Sequence, residues 1–419
     1  MISLCRCRFS HWGHRPWPYW TSLLLLCSWL VMPAAGCKKK PSMKEGQKGA
    51  RAGQDLASLF AGDPESLAEY ERIQRDIQGQ NFQGAVEALE KMILKSPQAP
   101  WVEAVKFTMA RTYMMMSDYR RALDLFDQFV KQYPSSSALP QALLFTGEIY
   151  LSMGADSPSG DASGSTARYY LQKSIGIFED VIERFSTDRD TVAQAQYLIG
   201  SAHASMGDQD RAIQALQKVV DDYKDSPYAP KAMYRIAGIE LSRGDVDRAE
   251  QSFGKLTAQY PNSFEAQKAR KKLEGLGLVG TQALPLSVKE WVGKPPAEIG
   301  TLRDKVVVLS FWAIWCPHCR RNIPKMDQLV EHYAAKDLVV VGVTREKPGY
   351  EAEKIREFIK THPMRFATGI DEDGKTSQAY AVSDIPCVVL IDRKGRIRWH
   401  GHPDFLQDGL LETLLAEVG

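Results

Sequence analysis

Cysteine is scarce in this chain. Seven occur among 419 residues, and Cys5, Cys7, Cys27 and Cys37 crowd near the N-terminus. Only Cys316, Cys319 and Cys387 remain for everything downstream, which excludes a disulfide-stapled framework of the kind small secreted domains rely on. Net charge is low as well: 53 Lys and Arg face 51 Asp and Glu, a formal +2, which gives no reason to count nucleic acid among the partners. The apolar stretch Leu23–Met32 is about as long as a signal-peptide core and too short to cross a bilayer comfortably. Zinc sites usually draw their ligands from paired motifs, and no second Cys pair or His cluster lies near Cys316 and Cys319. Neither a metal nor an organic cofactor is expected.

Chemistry concentrates in Phe311-Trp-Ala-Ile-Trp-Cys-Pro-His-Cys319. The segment follows Lys305-Val-Val-Val-Leu-Ser310, which reads as a buried strand, and opens a helical pattern near Pro317. Two cysteines with this spacing at a strand-to-helix turn can close a small disulfide. The first would sit at the helix N-terminus, where unpaired N–H groups favour thiolate over thiol. Thiolate is the species that attacks disulfides, so the pattern predicts a redox centre. A protonated His318 would add positive charge beside Cys316 and stabilise the reduced pair further.

This region resembles the TlpA/ResA/DsbE type of thioredoxin-fold protein, from about Leu284 to Gly419. The likeness is carried by Val288-Lys-Glu-Trp-Val, Phe311–Pro324, Leu338-Val-Val-Val-Gly-Val-Thr, Val382-Ser-Asp-Ile-Pro-Cys-Val-Val-Leu-Ile-Asp and Gly395-Arg-Ile-Arg-Trp-His-Gly-His-Pro. The resemblance implies a thiol–disulfide oxidoreductase with Cys316 as nucleophile and Cys319 as resolving thiol, paired as the Cys316–Cys319 disulfide when oxidised. Trp315, Pro317 and His318 would support the pair. Pro386 falls where the family has a cis-proline, leaving the Ile385 backbone free to pair with a substrate peptide. Pro317-His318 is closer to the dipeptide of the DsbA oxidases. Other departures are Ser310 and Asn322, which stand where relatives carry a buried acid, and Cys387, which replaces a common threonine and is a possible third thiol. A peroxiredoxin would want a threonine three residues before Cys316, and that residue is Ala313.

Arg6, Arg8 and Arg15 precede the Leu23–Met32 core, and Pro33-Ala-Ala-Gly-Cys37 follows it. This resembles a lipoprotein signal at 1–36, with Cys37 as the lipidated residue; ordinary cleavage after the small residues is the competing reading. Export is expected either way. Residues 37–61, starting with a Lys-rich run, would form a flexible basic tether.

From about Glu65 to Leu273 the pattern is helical and repeats. Asp208-Gln-Asp-Arg-Ala212 and Asp245-Val-Asp-Arg-Ala249 lie 37 residues apart, an offset shared by Gly207 and Gly244 and by Tyr223 and Tyr260. Asp118-Tyr-Arg-Arg-Ala122 is an earlier copy, and a copy with an insertion around 155–166 holds Gly147, Gly154 and Ser174. Small residues (Ala110, Gly147, Gly200, Ala237) would let adjacent helices approach closely. The pattern resembles tetratricopeptide arrays, especially those of BamD- and YbgF-like envelope proteins.

The expected fold is therefore multidomain: an all-α tetratricopeptide solenoid at 62–275, then an α/β thioredoxin fold at 281–419. The expected protein is exported, anchored to a membrane by lipid, periplasm-facing in the bacterial envelope, and acts on protein thiols or disulfides. An upstream dithiol would supply electrons, and an unknown protein would occupy the repeat groove. An oxidase or isomerase, and a scaffold in which the repeats dominate, are the alternatives.

Overall fold

A computed structural model describes residues 56–155, 165–294, 302, 304–406 and 408–417. The signal, Cys37 and most of the tether lie outside the described residues, as does most of the insertion. The chain divides into two compact units at Ser186–Thr187.

The first unit is helical: α1 (Leu56–Leu59), α2 (Pro64–Gln78), α3 (Phe82–Lys95), α4 (Val102–Met115), α5 (Tyr119–Gln132), α6 (Leu139–Ala155) and α7 (Ser165–Arg184). The second continues with α8 (Arg189–Ser205), α9 (Gln209–Asp222), α10 (Tyr228–Ser242), α11 (Val246–Gln259) and α12 (Phe264–Leu276). Helix starts follow from short acceptors. Asp118 and Asp208 each accept the amide three residues on, at 3.2 Å, which satisfies one of the N–H groups a helix leaves unpaired. The second helix of successive pairs buries the same stripe, Ala122/Phe126/Phe129, Ala212/Leu216/Val219 and Ala249/Phe253/Leu256. This spacing puts the three side chains of each set on one helix face.

The small residues do what the repeat pattern predicts. A methyl on Gly147 would sit 2.3 Å from the Phe178 ring, and one on Gly200 would sit 2.7 Å from Leu216, so these helices touch through missing side chains. In four of the pairs the turn between the two helices holds a left-handed residue. Gly207 and Gly244 supply it at φ +77° and +82°, while Gln80 and Ser117 hold the equivalent positions at φ 65° and 59°.

After α12 comes a mixed six-stranded sheet. Its elements are β1 (Val288–Val292), β2 (Val306–Trp312), α13 (Pro317–Tyr333), β3 (Leu338–Thr344), α14 (Ala352–Thr361), β4 (Ala367–Asp371), α15 (Lys375–Ala379), β5 (Cys387–Ile391), β6 (Ile397–Gly401) and α16 (Asp408–Ala416). Strand order is β1-β4-β3-β2-β5-β6; β2, β3 and β4 run parallel, and the other neighbours pair antiparallel. Every residue of β2 is buried, Ser310 included, as expected of a strand covered on both faces. Val306 and Val308 join one core with Met326 and Leu414. Val307, Leu309 and Phe311 face the other, with Tyr380 and Val389. Each such side chain contributes about 1.5–3 kcal/mol on full burial.

The join between repeats and sheet is packed chain. Leu278, Leu284 and Leu286 rest on the sheet's core, Gly280 N–H donates to Ile397 O at 2.7 Å, and Ile397 N–H donates to Thr281 O at 2.8 Å. Thus α8–α12 and the sheet form one compact unit.

Candidate active site

Strand β2 runs out at Trp312, and Cys316 N–H donates back to Ala313 O at 3.1 Å, closing the turn that leads into α13. Pro317 opens the helix, where its missing N–H costs nothing and its fixed φ is already helical. Cys316 is therefore the cap residue. Its sulfur accepts the N–H of Cys319 at 3.0 Å, the place a serine or aspartate oxygen takes at other helix starts.

The two cysteines are bonded as a disulfide, Cα to Cα 5.2 Å. Cys319 is 1 % exposed and Cys316 8 %, so the first cysteine is the one nearer solvent. On reduction the Cys316 sulfur keeps both an amide donor and the positive end of α13, which favours its thiolate; helix ends contribute typically 0.3–1 kcal/mol to a nearby charge.

The Ile385–Pro386 bond is cis, and the Ile385 carbonyl lies 3.7 Å from the Cys316 sulfur. Pro386 is buried at the mouth of β5, while Ile385 is half-buried. Two segments far apart in sequence thus meet at one sulfur because β5 pairs directly with β2, Phe311 opposite Cys387.

His318 is exposed on α13. Its Nδ1 lies 2.7 Å from Arg321 Nη2, one turn along an exposed helix face. Guanidinium only donates, so Nδ1 accepts in this arrangement. Arg321 brings a guanidinium charge to this corner. Trp315, half-buried, packs its ring 5.4 Å from Tyr350, and the Lys347 ammonium lies 4.5 Å from the Trp315 ring centre, giving the cysteines a cationic, aromatic rim.

Ser310 and Asn322 are both buried, as the acids they replace would be. Asn322 Nδ2 donates to His318 O at 3.1 Å, and its Oδ1 has no hydrogen-bond partner among the described residues. Cys387 is shut inside the sheet: burial pushes its thiol up to about 12, so it fills space as a small apolar side chain. Its sulfur lies 3.9 Å from His400 Nε2, which in turn meets Tyr380 O at 2.8 Å.

Other neighbours of the site carry little signal in the sequence. His402 and Asp404 approach to 3.6 Å, Lys325 of α13 reaches Asp404 at 2.6 Å, and the His318 charge is felt at both, so these four groups share one electrostatic neighbourhood. Burial holds the His402 imidazole below its usual range against the pull of Asp404. Asp384, immediately before Ile385, is paired with two lysines of α12, Lys268 and Lys272, each at 3.4 Å. Among the described residues no group of His, Cys, Asp and Glu is placed to hold a metal ion.

Residues 279–400 match the AhpC/TSA family, residues 63–240 the family described as outer membrane lipoprotein (YfiO), and residues 231–263 a tetratricopeptide repeat. The thioredoxin-like protein YneN of Bacillus subtilis is 34 % identical over 119 residues, 28 % of this chain and 68 % of that protein. The chain belongs to the thioredoxin-like thiol–disulfide oxidoreductases. Thiol-disulfide oxidoreductase ResA of Bacillus thuringiensis is 27 % identical over 119 residues, and the match spans 66 % of its length. A thiol-disulfide isomerase structure from Corynebacterium glutamicum is 25 % identical, with 33 % of this chain and 98 % of that one covered and a TM-score of 0.30. The helical region of this chain ahead of its redox domain is of the YfiO and tetratricopeptide kind.

Proposed function

We propose that the chain is an exported, lipid-anchored enzyme that exchanges its Cys316–Cys319 dithiol with disulfides of protein substrates in the bacterial envelope, while its repeats recruit a partner. The observation that carries the chemistry is the Cys319 amide on the Cys316 sulfur, 3.0 Å away, with the Ile385 carbonyl 3.7 Å from the same atom. In the forward direction the Cys316 thiolate attacks one sulfur of the substrate disulfide. A mixed disulfide forms, and the other substrate sulfur leaves as thiolate. Cys319, once deprotonated, attacks the Cys316 sulfur; the mixed disulfide breaks and the second substrate thiolate departs. Substrate gains two electrons and two protons, and the enzyme ends as the Cys316–Cys319 disulfide. A second dithiol of the envelope must then reduce the enzyme. No family acid stands ready to take the Cys319 proton, because Ser310 and Asn322 occupy those places.

The Ile385 backbone lies beside the reacting sulfur, so an extended substrate segment pairing with it would present its disulfide to Cys316. Export and anchoring rest on the N-terminal pattern ending in Cys37 and on the match of residues 63–240 to an outer membrane lipoprotein family. The test is the redox state of Cys316 and Cys319 trapped by acid quench and alkylation in growing cells. A mostly reduced pair fits a reductase and a mostly oxidised pair an oxidase. A pair that never changes state when envelope redox conditions are shifted contradicts exchange in either direction.

A further inference from the structure

The loop that carries Ile385 and Pro386 is held by the last repeat helix. Lys268 and Lys272 stand one turn apart on α12, and their ammonium groups reach Asp384 Oδ1 and Oδ2 at 3.4 Å each. Asp384 also accepts from the Ser383 hydroxyl at 3.1 Å. From α10, Tyr234 is near enough to feel the charge of the same carboxylate, and Lys268 lies 5.0 Å from the Tyr234 ring centre. Burial alone would raise the Asp384 carboxyl; the Lys272 and Lys268 charges overcome it and hold the group below its ordinary range, so it is ionised at neutral pH. Burial and the Asp384 charge push the Tyr234 hydroxyl the other way, which keeps it a donor. A few residues on, α12 closes against the sheet, where a methyl on Gly275 would lie 2.5 Å from the His400 ring.

The two lysines converge from the last repeat helix on one carboxylate, a single residue before the backbone that lies beside Cys316. A thioredoxin-like domain needs no such partner to form its disulfide. The lysines touch neither cysteine, so their influence on exchange must pass through the loop.

We infer that Lys268 and Lys272 are positioning residues: through Asp384 they fix the Ile385–Pro386 loop in the geometry that pairs with an extended protein substrate. The inference rests on the proposed exchange with protein disulfides. It makes the repeats part of the substrate-reading surface as well as a means of recruitment. Disulfides too small to pair with the loop should be indifferent to the clamp, whereas protein disulfides should depend on it.

The test uses the full chain with Lys268→Met and Lys272→Met combined, assayed on oxidised insulin and on 5,5′-dithiobis(2-nitrobenzoate). Expected is a loss of roughly fivefold or more in kcat/KM on insulin, with the small aromatic disulfide reduced at the unchanged rate. Lys268→Arg with Lys272→Arg should restore insulin reduction. Adding Asp384→Asn to the methionine pair should cost little more than Asp384→Asn alone, because one clamp is being removed twice. Equal rates on insulin for wild type and the methionine variant would overturn the inference. So would equal slowing on both disulfides, or full additivity with Asp384→Asn. Near-UV circular dichroism matching wild type checks that the variant is folded; a variant without that signal would show that the lysines hold the fold and not the loop. A wild-type chain inert on insulin but active on the small disulfide would instead overturn the exchange with protein substrates, and this inference with it.

Discussion

The amide of Cys319 donates to the sulfur of Cys316 across 3.0 Å, so the resolving cysteine's own backbone stabilises the attacking one. The two thiols are therefore unequal before any substrate arrives. Cys316 carries the cap position and the greater exposure, and Cys319 is sealed beneath it.

Alkylation of the reduced protein with iodoacetamide at mildly acidic pH should modify Cys316 first. Cys319 should follow slowly, and Cys387 should react only after denaturation, because burial pushes its thiol up to about 12. Peptide mass mapping over time reads the order. Early modification of Cys387 would contradict its enclosure.

Cys387→Ala should leave exchange rates unchanged and cost about 1 kcal/mol of stability, the usual scale for shortening a small buried side chain. Urea unfolding and an insulin assay measure the two separately. A variant that folds normally and loses exchange would make Cys387 part of the chemistry.

His318→Pro removes the side chain to which Arg321 is hydrogen-bonded at 2.7 Å. Positive charge near Cys316 stabilises the thiolate, and the thiolate belongs to the reduced form. Loosening that charge should make the potential more reducing, by on the order of 30 mV. Arg321→Met should move it in the same direction. Equilibration against glutathione reads both, and a shift toward oxidising values would reverse the assignment.

Gly275→Ala forces a methyl into the His400 ring and should cost about 1–3 kcal/mol, the scale of overpacking a filled interior. Unchanged urea stability would mean that α12 does not close on the sheet as described.

Burial holds the His400 imidazole below its usual range, so the folded chain keeps it neutral. The unfolded chain binds a proton below about pH 6.5. Stability from this group is thus complete above that pH and is lost as pH falls toward the folded value. The melting temperature should drop between about pH 7.5 and 5.5. His400→Gln should flatten the slope, with the remainder due to half-buried His402, which is shifted the same way.

Local features were the ones legible in the sequence. The largely apolar β2, the Cys-Pro-His-Cys turn and the 37-residue spacing of Gly207 and Gly244 each announce a structure made by near neighbours. Ile385–Pro386 came through the family likeness, and its bond is cis. The contact of His318 with Arg321, one helical turn along, is not legible in the Cys-Pro-His-Cys pattern itself. The Asp384 clamp gave no signal at all. Lys268 and Lys272 look like two of many surface lysines until the packing of α12 brings them to the loop. The packing of the Gly275–Gly280 stretch is hidden for a similar reason: only the fold brings partly buried Leu278 onto the sheet and Gly275 against His400.

The central claim is that Cys316 attacks and Cys319 resolves, and a trapping experiment tests it most directly. Full-length Cys319→Ala, mixed with a peptide disulfide, should accumulate a mixed disulfide that intact mass and peptide mapping place on Cys316. Full-length Cys316→Ala should accumulate none. A mixed disulfide on Cys319 or Cys387, or none in either variant, would contradict the account.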